Sequence, residues 1–117
     1  MRIHSHIFFI SLSLFLFVNC APKPSAPAIP RKGTGFSFFA PSAASVSIAG
    51  SFNRWDPERD RLAGPDGKGV WTIVLPLPPG RYEYRFVINN GEWALDPAMP
   101  STDDGLGDKN SLVIVPP

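Results

Sequence analysis

Two tryptophans at turns, and one leucine and one asparagine in a polar loop, are the residues best suited to meet a ligand. Trp55 closes the stretch Val46-Ser47-Ile48-Ala49-Gly50-Ser51-Phe52-Asn53-Arg54-Trp55, an alternating strand that runs into a turn. Trp93 follows Asn90-Gly91-Glu92, a tight turn. Leu106 and Asn110 belong to Leu106-Gly107-Asp108-Lys109-Asn110, and Arg85 stands in Tyr84-Arg85-Phe86. A pyranose has apolar C–H faces that stack on an indole, while its hydroxyls need donors and acceptors. Asparagine offers both and arginine offers donors only. Each residue also has a purely structural use, the indoles as core and the arginine as a solvated strand charge.

Hydrolytic and metal chemistry are poorly served. Asp96, Asp103, Asp104 and Asp108 are the aspartates that invite it. A glycosidase needs two facing carboxylates at a set separation, which a cluster in a loop does not supply. The run Asp103 to Asp108 lacks the spacing and terminal glutamate of an EF-hand, so it reads as a solvated loop that shapes a site. The chain has two histidines, His4 and His6, both in the apolar N-terminal region. Without histidine beyond it, zinc binding and histidine-based acid–base catalysis are disfavoured. No catalytic residue, cofactor or metal is expected.

The elements that must carry these residues are strands. At 117 residues the chain has room for one domain. From Gly33 onward strands are expected near Thr34–Phe39, Ser45–Ala49, Val70–Leu77, Arg81–Ile88, Glu92–Leu95 and Asn110–Val115. Ser45-Val46-Ser47-Ile48 alternates as a half-buried strand does. Tyr82, Tyr84, Phe86 and Ile88 share one strand face, with Glu83 and Arg85 on the other. Trp71 shares a face with Ile73, Leu75 and Leu77 and belongs to the core. Pro78-Pro79-Gly80 and Asn89-Asn90-Gly91 are turn signals, and Asn-Gly supplies the positive φ of a tight hairpin. No stretch has helical periodicity with caps. The fold class is all-β, an antiparallel sandwich.

The N-terminus has a different character. An apolar run from Ile7 to Val18 follows Arg2. It is too short to span a bilayer as a helix and has the shape of a secretory signal. Cys20, the single cysteine, stands directly behind it. Leu16-Phe17-Val18-Asn19-Cys20 resembles a bacterial lipoprotein signal, with Asn19 where a small residue is usual and Phe17 where leucine is usual. The resemblance implies a cleaved signal over 1–19, lipidation of Cys20 and a place on the cell-envelope membrane; the alternatives are ordinary secretion with a free thiol, giving a secreted or periplasmic protein, and an uncleaved anchor. Residues 20–33, rich in Pro, Ala and Ser, read as an extended tether. Loss of 1–19 removes Arg2, one of the 11 Lys+Arg, and leaves 10 against the 10 Asp+Glu. A chain with no net charge and no basic run lacks the positive footprint of a nucleic-acid binder.

The motifs taken together carry a second resemblance. Val46 to Trp55, Gly69-Val70-Trp71, Leu77 to Phe86, Asn90 to Trp93, Asp96-Pro97, Leu106 to Asn110 and Val113 resemble a family-48 carbohydrate-binding module in order and spacing. The glycogen-binding domain of the AMP-activated kinase β subunit and the N-terminal domains of glycogen branching and debranching enzymes are members. The resemblance covers about residues 34–115. It implies an immunoglobulin-like early-set sandwich over 34–117 and non-catalytic binding of α-1,4-glucans such as glycogen, starch or maltooligosaccharides. It implies Trp55, Arg85, Trp93, Leu106 and Asn110 as the sugar-binding set. Arginine at position 85 departs from the lysine of the glycogen-binding relative. The alternatives are a protein-interaction module of the same fold and an accessory to a glycan-active enzyme, with a protein partner in either case.

Overall fold

The computed structural model describes residues 33–117. The expected signal over 1–19, Cys20 and all but the last residue of the 20–33 tether lie outside the described residues. Eight strands follow in order: β1 (Thr34–Phe39), β2 (Val46–Gly50), β3 (Asp60–Arg61), β4 (Val70–Leu75), β5 (Gly80–Ile88), β6 (Glu92–Ala94), β7 (Ser101–Asp103) and β8 (Lys109–Val115). All pairings are antiparallel. β1 and β4 make a two-stranded sheet. The other six strands make a larger one in the order β3-β2-β5-β8-β7, with β6 also paired to β5. This is the all-β, immunoglobulin-like early-set sandwich that the sequence predicts.

The core lies between the sheets because the alternating residues of both turn inward. Phe36, Trp71 and Leu75 come from the small sheet, and Val46, Ile48, Tyr84, Phe86 and Val113 from the large one. Leu62 joins them from the segment after β3. Aromatic rings interlock at the centre, with Phe36 against Tyr84 at 4.9 Å and 75°, and Tyr84 against Phe86 at 5.7 Å and 80°. Such edge-on pairs each contribute about 0.5–1.5 kcal/mol beyond their burial. Trp71 is core, as its strand face predicts, and its indole N–H donates to the Ala40 carbonyl at 2.8 Å.

The polar tip of Tyr84 also finds a partner. Its hydroxyl donates to Asp96 Oδ2 at 2.7 Å. Asp96 in turn donates its backbone N–H to Ser111 Oγ and accepts from Ala98 N. Burial, and then the Asp96 carboxylate, push the Tyr84 phenol well above its ordinary 10.0. A tyrosine shifted upward lends stability that is complete below pH 10.0 and is lost only as strongly alkaline solution ionises it.

Several local expectations are corrected. β2 is buried at all five positions rather than on alternate ones. It has β3 on one edge and β5 on the other, and its intervening side chains are the small Ser47 and Ala49. β4 ends at Leu75, short of the expected Leu77, because Pro76 has no N–H to give to a ladder. In the β5–β6 hairpin the positive φ angles fall on Asn89 (52°) and Asn90 (60°), one position earlier than an Asn90-Gly91 turn requires. Asparagine tolerates that region, and Asn89 is also held there by accepting from Ala44 N at 2.8 Å. β3 and β7, two and three residues long, are strands that the sequence does not announce.

Replacing Trp71 by alanine should cost about 3–5 kcal/mol, since it opens a cavity and removes the indole hydrogen bond to the Ala40 carbonyl. That is most of a small domain's stability. Urea denaturation should show a protein unfolded or barely folded; a midpoint near that of the wild type would place Trp71 outside the core.

Candidate functional site

The larger sheet has an outer face, and β5 runs through its middle. Tyr82, Tyr84 and Phe86 point into the core, so Arg81, Glu83, Arg85 and Val87 point out. The pairing Val87↔Trp93 brings the Trp93 indole onto this face from β6. Tyr84↔Ser111 is the last registered pair of β5 and β8, and one step on lies Arg85 opposite Asn110. Three expected site residues, far apart in sequence, thus meet through strand register alone.

Trp55 reaches the same face from the turn after β2. Asn53 locks that turn. Its Oδ1 accepts from Gly50 N at 2.9 Å, and its Nδ2 donates to Ile48 O at 2.9 Å and to Asp60 Oδ2 at 2.8 Å. The Trp55 N–H closes on Gly50 O at 2.9 Å. Arg54 and Trp55 are held at φ 59° and 60°, left-handed values that cost a side-chain-bearing residue about 1–2 kcal/mol each. Gly50 is required because a Cβ there would come within 2.6 Å of the Glu83 carbonyl oxygen and 2.9 Å of the Tyr84 Cβ.

Leu106 stands on a loop built by its aspartates. Asp104 Oδ1 accepts from Leu106 N at 2.7 Å and Asp108 N at 3.1 Å, and the Asp104 N–H donates to Asp108 O at 2.9 Å. Gly105 and Gly107, at φ 81° and 91°, let the chain turn twice around that carboxylate. Leu106 is left 90% exposed at the tip. The expectation that the aspartates shape a loop therefore holds. Among the described residues no group of three or more His, Cys, Asp and Glu side chains is gathered as a metal site.

Arg85 joins loop to sheet. Its Nε donates to Asn110 Oδ1 at 2.8 Å, and its Nη2 lies 3.1 Å from Asp108 Oδ2 and 3.8 Å from Asp104 Oδ2. The sequence places Arg85 on the solvent side of its strand, which is correct, but the side chain is only 18% exposed. Asn110 is likewise less free than its chemistry promises. Its Oδ1 serves Arg85, its Nδ2 lies 3.5 Å from Glu83 Oε1, and the residue is buried. One oxygen lone pair and one N–H remain for a ligand.

The outcome is an open depression of about 330 Å³ lined by Trp55, Arg85, Trp93, Asp104, Leu106 and Asn110. All five residues singled out from the sequence border it. The sequence reads Asp104 only as a loop former, and nothing around it signals that its carboxylate also borders the depression. Trp93 is 42% exposed and Trp55 half-buried, which suits rings with one face packed and one available. The Asp108 carboxylate beside Arg85 is tuned away from acid catalysis. The Lys109 backbone N–H, and then Arg85, hold the Asp108 carboxyl below its ordinary 3.8, whereas a general acid needs a raised value.

A depressed carboxyl contributes stability above its unfolded pKa and loses it as pH falls through the folded one. Asp108 is exposed and screened, so the effect is local. Tryptophan emission should report the 104–108 loop intact from neutral pH down to about 3.8 and loosened below it. Asp108→Asn should remove that part of the acid response; an acid transition identical to wild type would show that the ion pair does not hold the loop.

Comparison with known proteins agrees with this geometry. The profile of the family described as Carbohydrate-binding module 48 (Isoamylase N-terminal domain) matches residues 22–98, more than half of the chain. Protein PTST, chloroplastic, of Arabidopsis thaliana is 36% identical over 80 residues, which is 66% of this chain and 28% of that protein. The 1,4-alpha-glucan branching enzyme GlgB of Marinobacter nauticus is 40% identical over 57 residues, 49% of this chain and 9% of the enzyme. PTST homolog 2, chloroplastic, of Arabidopsis thaliana is 36% identical over 74 residues, 63% of this chain and 13% of that protein. The chain thus matches less than a third of the length of each of these relatives. The family match takes in Trp55, Arg85 and Trp93 and stops before Leu106 and Asn110.

Proposed function

The chain belongs to the carbohydrate-binding module 48 family, and from that membership we propose that it binds α-1,4-linked glucans without cleaving them. The observation that carries this reading is the pairing of two partly exposed indoles with Leu106, Arg85 and Asn110 around one open depression. Trp55 and Trp93 stack on the apolar faces of glucose units. Leu106 wedges into the curve that α-linkages impose on the chain. The free Nη1 of Arg85 donates to hydroxyls, and Asn110 adds its remaining donor and acceptor. The branching enzyme among the relatives acts, by its name, on 1,4-alpha-glucan.

Each stack adds about 0.5–1.5 kcal/mol beyond area burial. With a few hydrogen bonds an oligosaccharide should bind at about −4 to −7 kcal/mol, which is millimolar to about ten micromolar. Maltoheptaose titrated into the full-length chain should give that range, and a β-linked glucan should give nothing. Trp93→Ala should abolish the signal while its melting temperature stays within a few degrees of wild type. Silence at millimolar maltoheptaose, or equal binding of the β-glucan, would end this reading.

The attachment is a separate proposal, supported by the order of Arg2, the apolar run and Cys20. In this reading Cys20 carries the lipid, and residues 20–33 hold the sandwich off a bacterial envelope membrane. Each buried methylene of an acyl chain contributes about 0.8 kcal/mol to anchoring, so more than one chain gives stable attachment. Expressed in a bacterium, the wild type should partition into detergent and Cys20→Ala should stay in the aqueous phase. Equal partitioning of the two would exclude the anchor.

A further inference from the structure

Arg85 and Asp104 are the two charged side chains among the six that line the depression, and their charges do not match one to one. Asp108 already takes the guanidinium at 3.1 Å, while Asp104 stands off at 3.8 Å. Asp104 Oδ1 accepts two backbone N–H groups, so Oδ2 keeps the acceptor capacity left over. The Asp104 side chain is 19% exposed, mostly withdrawn from bulk water yet bordering the depression. A guanidinium between two carboxylates leaves that trio with one net negative charge. Further along β5, Arg81 and Glu83 pair with each other at 3.3 Å and cancel.

We propose that Asp104 is a specificity-determining residue, which selects a neutral glucan through a donated hydroxyl and rejects one that carries an anionic group on the sugar held in the depression. This rests on glucan binding at the same site. A sugar O–H donates to Asp104 Oδ2, a charge-assisted hydrogen bond stronger than a neutral one. A phosphate ester or a uronate instead brings a second anion beside a partly desolvated carboxylate, where like charges repel strongly. Arg85 does not offset the charge of that anion, because its Nη2 faces both aspartates and the trio keeps one net negative charge; its free Nη1 offers a hydrogen bond to either sugar alike.

Calorimetry on the full-length chain with maltoheptaose, and with maltoheptaose phosphorylated at a 6-hydroxyl, tests the idea. The neutral sugar should bind at least about tenfold more tightly, and added salt should narrow that gap by screening the repulsion. Asp104→Asn keeps an oxygen for the two backbone N–H groups. It should weaken the neutral sugar several-fold and close the gap. Equal affinity of the wild type for the two sugars overturns the proposal, as does an undiminished gap in Asp104→Asn with wild-type melting. Should that variant not fold, the salt series on the wild type decides, and a gap insensitive to salt overturns it. Binding of neither sugar would overturn the glucan reading itself, an outcome distinct from equal binding of both.

Discussion

A guanidinium on the outer face of a β-sheet, four-fifths withdrawn from water, must be neutralised, and the candidate site is organised around how Arg85 meets that demand. Withdrawing a charge without a partner costs several kcal/mol. The partners come from the loop between β7 and β8, which folds over Arg85 so that Asp108 and Asp104 reach it. That fold-over carries Leu106 to the rim and fixes Asn110 by its oxygen. Leucine, asparagine and arginine are therefore one mechanical unit. Disturbing the ion pair disturbs the apolar tip as well.

The sandwich separates this unit from the core. β5 gives one row of side chains to each side, with Tyr84 and Phe86 packed against the small sheet while Glu83 and Arg85 lie on the outer face, where Arg85 borders the depression. Core and candidate site are thus assigned to alternate residues of the same strand. The separation is not complete, because Ser51 N donates to Glu83 O and Gly50 lies hard against β5. The turn bearing Trp55 is in this way registered to the strand bearing Arg85.

Much of this was legible in the sequence because it follows from parity. Alternation distinguishes Trp71, in step with Ile73 and Leu75, from Trp93 and Trp55 at turns. The long strands were legible for the same reason. β3 and β7 were not, because two or three mostly polar residues carry no period; they pair only because a neighbour offers an edge. Asp104 and Asp108 as partners of Arg85 were not legible either. The pairing spans about twenty residues and arises from the register of β5 and β8, which no local pattern encodes. The motif resemblance supplied Arg85, Leu106 and Asn110 as a set, whereas the structure supplies the electrostatic reason that they form one.

The left-handed backbone at Arg54 and Trp55 has a kinetic consequence. Its conformational cost is met once, when Asn53 closes the turn during folding, and not again at each encounter with a ligand. An indole delivered in this way loses little further entropy on stacking, as a preorganised surface should. For the proposed glucan, capture is then a collision with a platform already formed, without a slow rearrangement to limit the on-rate. Differences in affinity among glucans of different length would appear chiefly in how long each one stays. A surface that captures quickly and releases readily suits a polymer whose successive glucose units are interchangeable, since a chain that lets go at one unit meets the same platform at the next.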